Sequence, residues 1–369
     1  MIDLFAGAGG ICAGLLQVRT PAGQPAYQIV GAVESDSAAA ATFSTNFRDS
    51  TVFAGPIEEW VELDHADLVV GGPPCQGFSQ LGRRDPTDPR NRLWEQYFRV
   101  VQKIRPTVFV LENVDRFRAS VELSEFRSRC IEAGYPQVHM AALNAADFGT
   151  PQRRVRTIVI GVREQLPEVS PLPLPTHARE PNFEASAAWR TVADALRGMV
   201  VDPPGGTQLP ANRRLTIERF DGSTKAVAGP YSTLELHVGR APTAQSLERY
   251  RHIGPGQNRH ALPERLQAPC WRKHKTGAGD VMGRLHWDRP SVTIRTEFFK
   301  PEKGRYLHPS EDRPLTHLEA AVLQGFPLDY RWCGSKVEIA RQIGNAVPVQ
   351  LAEAVGRSLH EALFSATAA

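Results

Sequence analysis

Residues 3–10 read DLFAGAGG and follow a short apolar start. Glycines at a turn from a strand into a helix let the backbone approach a nucleotide-like ligand closely. Glu34 ends the next apolar run, where an acid can bind ribose hydroxyls. The glycine spacing is not the GxGxxG of a pyrophosphate binder, so a ligand with ribose and adenine but no phosphates fits better. Taken alone, such a turn also occurs in α/β proteins that bind no ligand.

Outward from this turn, the first 165 residues or so alternate between strand-like and helix-like stretches. The predicted strands are Met1–Phe5, Gln28–Val33, Asp67–Gly71, Thr107–Leu111 and Thr157–Gly161. The predicted helices between them include Ala38–Phe47, Leu93–Ile104 and Leu123–Ala133. Buried parallel strands joined by crossover helices are the natural packing of this pattern, so we predict a doubly wound α/β sheet.

The rest of the chain is less regular. Five prolines between Pro167 and Pro181 predict an extended stretch that leaves the first domain, and residues 182–310 predict an irregular second domain. Thr316 and Glu319 predict a capping box. A last helix is expected from Pro348, and its apolar face comprises Leu351, Ala352, Val355, Leu359 and Leu363.

Length and composition exclude several classes of protein. The 369 residues allow about two domains. No apolar run reaches the ~18–20 residues of a membrane helix, and the first residues lack the basic start of a signal peptide. The 5 cysteines include no CxxC pair, which argues against a disulfide framework and a zinc site. We therefore expect a cytoplasmic protein.

Charge is distributed unevenly along the chain. Residues 1–75 hold 9 acids against Arg19 and Arg48, a net charge of −7, although the whole chain carries +3. Residues 240–305 carry 14 Lys and Arg against 6 Asp and Glu, as expected for a segment that meets phosphates. The 36 arginines against 7 lysines suit bidentate recognition of phosphates and bases, or reflect genome composition.

Two motifs place reactive groups at predicted strand ends. Residues 71–79 read GGPPCQGFS, and a cysteine fixed by prolines in a glycine-rich loop is placed as a nucleophile. Free cysteines are more often inert packing residues, which we expect of Cys12, Cys130, Cys270 and Cys333. Glu112 ends another strand, where partial desolvation can raise the pKa of a carboxyl group enough for proton sharing. The alternative for Glu112 is an ordinary solvated loop residue.

Residues 152–156 read QRRVR at the start of a predicted strand. Alternation along an extended chain puts Arg154 and Arg156 on one face, so we expect their guanidinium groups to point together. The alternative is charge on an exposed sheet edge.

These motifs together resemble those of the DNA (cytosine-5) methyltransferases, in particular those of bacterial restriction-modification systems. Six stretches occur in the family's usual order: DLFAGAGG at 3–10, GGPPCQGFS at 71–79, ENV at 112–114, QRRVR at 152–156, RPSVT at 289–293 and QIGNAVP at 342–348. The resemblance implies a Rossmann-like methyltransferase sheet with a smaller target-recognition domain. The implied divisions are 1–175 and 336–369 for the catalytic domain and 176–335 for the small domain.

The resemblance also implies a reaction. The Cys75 thiolate would add to carbon 6 of a cytosine flipped out of double-stranded DNA, and carbon 5 would then take a methyl group from S-adenosylmethionine, leaving S-adenosylhomocysteine. Glu112 would share a proton with ring nitrogen 3, and Asn113 would help to orient the site. Arg156, helped by Arg154, would hold the 2-carbonyl of the base. No metal is required.

The expected cofactor contacts follow from the same motifs. They are Phe5, Gly7, Gly10, Glu34, Ile57, Pro74, Leu93, Asn345 and Val347. Two positions depart from the family pattern, since Ser35 stands where a bulky side chain often covers the adenine and Pro56 where an acid often meets the adenine amino group. Only two residues precede Asp3, so we expect either a start assigned slightly late or a first strand with little support.

DNA contacts are expected from Ser79, Arg83 and Arg84. We hypothesise that residues 80–89 form a lid that closes over DNA, with the two arginines near phosphates. The basic segment 240–305 would lie in the groove, and most of its charges would contact phosphates.

Other functions remain open at the level of sequence. The same chemistry could act on RNA, although the large basic region argues for reading a DNA duplex. A catalytically inactive DNA-binding protein is disfavoured by the joint presence of Cys75, Glu112 and Arg156. A nicotinamide dehydrogenase would leave the Cys75 loop unexplained. We expect a monomer that is associated with the nucleoid. It either works separately from a cognate restriction endonuclease or is an orphan modification enzyme.

Overall fold

The computed structural model describes residues 1–61, 65–74, 93–163, 170–199, 206–273 and 279–364. Cys75, Ser79, Arg83 and Arg84, with the lid hypothesised at residues 80–89, lie outside these ranges. Within them, every helix is too short or too polar to cross a bilayer.

Seven strands form the central sheet, in the order β3-β2-β1-β4-β5-β7-β6. Their bounds are β1 Ile2–Leu4, β2 Gly31–Val33, β3 Thr51–Phe53, β4 Leu68–Gly71, β5 Val108–Val114, β6 Gln137–Asn144 and β7 Val155–Val162. Strands β1 to β5 run parallel, whereas β7 is antiparallel to both β5 and β6. The strand order reverses between β1 and β4, and the carboxyl ends of strands at such a point open a crevice for a ligand.

The predicted doubly wound α/β fold is confirmed, with two differences in the sheet. The sequence analysis did not predict β3, which has only three residues, or β6, whose residues are mostly half-buried. The prediction that all strands run parallel was wrong for β7, which runs against both of its neighbours, β5 and β6. Ten residues join β6 and β7, too few for the crossover connection that a parallel pair requires.

Helices cover both faces of the sheet. Their bounds are α1 Gly10–Leu15, α2 Ser37–Asn46, α3 Leu93–Ile104, α4 Val121–Glu132, α5 Val192–Leu196, α6 Ala244–Arg251, α7 Pro269–Lys273, α8 His317–Leu323, α9 Lys336–Asn345 and α10 Val349–Leu359. Helices α3 and α4 bury Trp94, Tyr97 and Phe126 on one face. The other face is packed by α1 and α10, and the predicted apolar face of the last helix is buried. The capping box of Thr316 and Glu319 is present at α8.

Short strands and turns make up much of the region between β7 and α8. The strands are β8 His177–Ala178, β9 Ala187–Ala188, β10 Arg214–Glu218, β11 Thr224–Ala228 and β12 Tyr231–Ser232, and β12 pairs with β13 Arg331–Trp332 beyond α8. A small separate core there contains Tyr250, Ile253, Leu262, Leu266, Met282 and Leu307. The segment that follows the prolines is held against the turn after β6, because Trp189 Nε1 donates to Asp147 Oδ1 at 2.8 Å.

Candidate active site

An ion pair joins the carboxyl end of β5 to the start of β7. The Nε of Arg156 lies 2.7 Å from Glu112 Oε1, and the two side chains are only 14% and 12% exposed. Val114 of β5 stands opposite Arg156 in the antiparallel ladder, so Glu112 and Arg156 are diagonal neighbours on one face of the sheet. The site thus holds a carboxylate and a guanidinium group side by side, largely shielded from water.

The residues just before Cys75 are held against this pair. A Cβ on Gly72 would lie 2.7 Å from Glu112 Oε2, so only glycine lets the loop approach the carboxylate so closely. Asn113 donates from Nδ2 to the carbonyl oxygen of Pro73 at 3.1 Å. The side chains of β5 therefore fix the path of the chain up to Pro74, the last described residue before Cys75.

Arg154 is held by main-chain carbonyls of two segments that are distant in sequence. Its Nη1 and Nη2 atoms donate to the carbonyl oxygens of Ile294 and Gly344, each at 2.9 Å, and the side chain is buried. Burial holds the pKa of Arg154 well below its usual range. The charge of nearby Arg156 lowers the pKa of Arg154 further, and both Nη atoms of Arg154 are taken by buried main-chain carbonyls.

The RPSVT motif runs alongside the same segment. Ser291 exchanges main-chain hydrogen bonds with Pro151 and Arg153, and the Thr293 hydroxyl donates to the Arg153 carbonyl at 2.9 Å. Gln152 accepts from the amide of Ile294 at 2.8 Å. Residues 289–294 thus brace the start of β7, where Arg156 stands.

The acid that ends β2 faces the glycine turn. Glu34 Oε2 accepts from the amide of Gly7 at 2.8 Å, and Oε1 accepts from the amide of Asp36 at 2.7 Å. Burial raises the pKa of the Glu34 carboxyl above its ordinary value. Phe5 and Gly7 both adopt the left-handed backbone region, with φ of 57° and 56°, which turns the chain sharply after β1. A Cβ on Gly7 would meet no other atom within 4 Å, so there is room over the turn.

The other expected cofactor contacts border the same crevice. Phe5 and Leu93 pack against the apolar cluster that contains Ile57. Gly10 allows α1 to approach the loop after α9, since a Cβ there would lie 2.6 Å from the carbonyl oxygen of Val347. Pro74 and Asn345 are exposed. Val347 and Glu112 both line one narrow cavity of about 20 Å³, whose other walls are apolar side chains of α1, α10 and the sheet.

A buried acid lies beneath the glycine turn. Asp3 is 1% exposed, and its Oδ2 accepts from Cys12 Sγ at 3.1 Å. Burial raises the pKa of Asp3 to about 7. Cys12, Cys130 and Cys333 are buried as expected, but Cys270 is exposed, which corrects its predicted role in packing.

Comparison with known proteins decides between the functions left open by the sequence. The family model for C-5 cytosine-specific DNA methylases matches residues 1–361. The chain belongs to this family. It is therefore a DNA (cytosine-5) methyltransferase, with DNA as its substrate and a methyl donor of the S-adenosylmethionine type.

Relatives of this methyltransferase cover nearly the whole chain. It is 32% identical to the type II methyltransferase M1.HphI of Haemophilus parahaemolyticus, over 97% of this chain and 86% of that protein. It is also 32% identical to the type II methyltransferase M.PspPI of a Psychrobacter species, over 99% and 80% of the two chains.

Solved structures share the fold of this methyltransferase. A DNA modification methyltransferase encoded within an E. coli prophage has a TM-score of 0.69 at 24% identity, covering 98% of both chains. The Dnmt2 methyltransferase of S. pombe has a TM-score of 0.58 at 17% identity, again over 98% of both chains.

Several arginines of the basic segment serve the fold of the methyltransferase. Arg284 is buried and donates to the carbonyl oxygens of Tyr250, Ile253 and His308. Arg305 donates to the carbonyl oxygens of Gly256, Gln257 and Arg284 and pairs with Asp280, and Arg295 donates to Tyr306 and Lys303. The expectation that most charges of 240–305 contact phosphates is corrected for these residues, since irregular backbone there takes its hydrogen bonds from them.

Sequence reasoning did not predict the contacts that support the site. The contact of Gly72 with Glu112 and the main-chain contacts of Arg154 join segments far apart in sequence. Both residues lie inside motifs that were recognised, so their importance was visible but their partners were not.

Proposed function

We propose that this chain methylates carbon 5 of a flipped-out cytosine, in a short double-stranded DNA site, through a covalent bond to Cys75. The observation that carries the proposal is the Glu112–Arg156 pair, which lies against Gly72 at the start of the loop that leads to Cys75. A carboxyl group, a guanidinium group and a thiol around one pocket can activate a pyrimidine ring by adding a nucleophile to it and protonating it.

Each residue has a distinct task in this scheme. The sulfur of Cys75 forms a bond to carbon 6, while ring nitrogen 3 takes a proton from Glu112, so carbon 5 becomes nucleophilic. Arg156 binds Glu112 through Nε and would turn the outer end of its guanidinium group to the 2-carbonyl. Asn113 holds the loop through Pro73. Carbon 5 then forms a bond to the methyl group as the bond between that group and the donor's sulfur breaks. At the end, water takes the proton from carbon 5, Cys75 leaves carbon 6, and the proton on nitrogen 3 returns to Glu112.

The crevice fits S-adenosylmethionine, which supplies an electrophilic methyl group when bound. Glu34 presents its carboxylate at the end of β2, where it would bind the ribose hydroxyls. The surface formed by Phe5, Ile57 and Leu93 is apolar, as an adenine ring requires. Gly7, Gly10, Pro74, Asn345 and Val347 would enclose the rest of the molecule. The room over Gly7 supports this placement.

The role of Arg154 is to position the site. One of its two hydrogen bonds joins the start of β7 to Ile294, and the other joins it to Gly344, next to the proposed cofactor contact Asn345. Arg154 would thus act on the base only through the placement of Arg156. Ser79, Arg83 and Arg84 would contact DNA near the flipped base.

The biological role that we propose is modification of host DNA in a type II system. The names of the relatives support it, because they are type II methyltransferases that align over nearly this whole chain. The enzyme would act as a cytoplasmic, nucleoid-associated monomer, separately from a cognate endonuclease. We also propose that residues 1–175 and 336–369 form the catalytic domain and 176–335 the target-recognition domain.

Bisulfite sequencing tests the proposal directly. The wild type, Cys75→Ser and Cys270→Ser would be expressed in a strain that lacks cytosine methylation. Cys270 is an exposed free cysteine and so provides a matched control. We expect protected cytosines in one short recurring context with the wild type and Cys270→Ser, and none with Cys75→Ser. Protection that persists in Cys75→Ser would overturn the role of Cys75.

A further inference from the structure

The β10–β11 hairpin lies on the catalytic domain beside the second and third strands of the sheet. Its residues Ile217 and Val227 pack in one apolar cluster with Ala41 of α2 and Ala54, which follows β3. The hairpin loop is closed by hydrogen bonds of Arg219 with Ser223 and Gly222. The hairpin is therefore held by apolar contacts with α2 and the segment after β3, and its loop is held by main-chain hydrogen bonds.

Phe220 stands at this tip and lies on the backbone after β3. Its amide donates to the carbonyl oxygen of Ala54 at 3.2 Å. A Cβ on Gly55 would lie 2.6 Å from Cδ1 of Phe220, so Gly55 makes room for the ring. The ring also packs on Phe53, with 5.9 Å between centroids. Phe220 nevertheless stays 41% exposed, which is unusual for an aromatic side chain held so firmly.

This exposed ring is close to the acid that ends β2. The amide of Glu34 donates to the carbonyl oxygen of Phe53 at 3.1 Å, so the segment under Phe220 begins next to Glu34. Ser35, the residue after Glu34, is small and exposed and offers no apolar cover of its own. A flat apolar group whose sugar is bound by Glu34 would therefore lie beside the segment on which the exposed ring of Phe220 packs.

We propose that Phe220 forms one wall of the adenine pocket and stacks against the adenine of S-adenosylmethionine. The proposal rests on the proposed function, which places the ribose at Glu34. A second possible use of the ring, stacking on a DNA base, is disfavoured by charge. The charged residues nearest in sequence on these two segments are Glu58, Glu59, Glu218, Arg219 and Asp221, and the four acidic groups among them repel a phosphate backbone.

Equilibrium binding of S-adenosylhomocysteine, measured by titration calorimetry without DNA, tests this role. We expect Phe220→Ala to raise the Kd about tenfold, since stacking of a base on an aromatic ring has an effect of this order. Phe220→Trp should keep the affinity, and its added indole should change in fluorescence on binding. Phe183→Ala removes a phenylalanine that is fully exposed, so it is the matched control and should bind as the wild type does.

A coupling experiment separates stacking from damage to the hairpin. Gly55→Ala would push the Phe220 ring away and weaken binding in the wild-type background. The same change should have little effect in Phe220→Ala, where no ring is left to displace. Equal effects in both backgrounds would show that the loop, and not the ring, determines affinity, and would overturn the proposal.

The remaining outcomes distinguish the two levels of inference. If the wild type does not bind S-adenosylhomocysteine at all, the cofactor placement of the proposed function fails. If the wild type binds and Phe220→Ala binds equally well, only the adenine wall fails. A Phe220→Ala variant that loses DNA affinity while keeping its affinity for S-adenosylhomocysteine would assign the ring to DNA instead.

Discussion

Replacing Arg154 by methionine should mainly lower the stability of the fold, whereas replacing Arg156 by methionine should mainly lower the catalytic rate. Arg154 donates two hydrogen bonds of 2.9 Å to buried carbonyls, and hydrogen bonds from a charged donor contribute ~1.5–3 kcal/mol each. Methionine recovers part of this loss, because it removes a buried charge that is costly to desolvate. We therefore expect Arg154→Met to lower the free energy of unfolding by about 3 kcal/mol.

Arg156→Met should affect stability much less. It removes one ion pair, with Glu112, that is 12–14% exposed, so we expect a loss of about 1–2 kcal/mol. It should instead lower kcat/KM by about 10²–10³-fold, as removal of a group that binds the reacting base does. Arg154→Met, assayed at a temperature at which it is folded, should lose less than about tenfold, since that group acts only through placement.

Guanidinium denaturation followed by circular dichroism gives the two free energies, and transfer of a labelled methyl group to DNA gives the two rates. The reasoning would be refuted if Arg154→Met were as stable as the wild type within about 0.5 kcal/mol, the range of ordinary surface substitutions. It would also be refuted if Arg156→Met lost as much stability as Arg154→Met while remaining active.

Three further changes probe other parts of the site. Glu112→Gln should lower the rate of methyl transfer by about 10²–10⁴-fold because a proton donor is lost, and a near wild-type rate would contradict its proposed task. Gly10→Ala puts a Cβ 2.6 Å from the Val347 carbonyl oxygen. This change should destabilise the fold by about 1–3 kcal/mol and weaken the binding of S-adenosylhomocysteine. Thermal unfolding and calorimetry that both show no change would exclude the contact. The pKa of Asp3 is raised from 3.8 to about 7, so the folded state binds a proton at this carboxyl group more tightly than the unfolded state does. The free energy of unfolding should therefore decrease as the pH rises from about 4 to 7. Asp3→Asn should remove that decrease, and denaturation curves with the same pH dependence in both proteins would rule it out.

The parts of the fold that the sequence predicted well are those with strong local signals. Helix α3 was predicted at its observed bounds, because its apolar face and flanking residues are clear. Strand β3 has three residues and an exposed start, so it lacks a periodicity that can be recognised. The direction of β7 was missed for another reason. Direction depends on the connection to β6, and neither the strand nor its hydrophobic pattern encodes it.

At the site, too, the sequence identified the residues but not the residues that they contact. Glu112 and Arg156 were both selected from sequence, but the ion pair between them follows from the register of β5 against an antiparallel β7. Arg154 and Arg156 are two positions apart, so the alternation of side chains along an extended chain assigns them to the same side. This alternation failed to predict where their side chains go, because Arg154 precedes the ladder and meets Ile294 and Gly344, about 140 and 190 residues away.

The burial of Arg154 also explains why two distant motifs depend on each other. Main-chain carbonyls at Ile294 and Gly344 converge on one point where no secondary structure supplies donors, and a buried carbonyl without a donor is costly. A planar guanidinium group can satisfy both at once, whereas lysine offers one compact charge. Gly344 lies next to the proposed cofactor contact Asn345, and Arg154 lies two residues before Arg156. A shift of the end of α9 would therefore move the start of β7, so one side chain couples the proposed cofactor side of the pocket to its proposed base side.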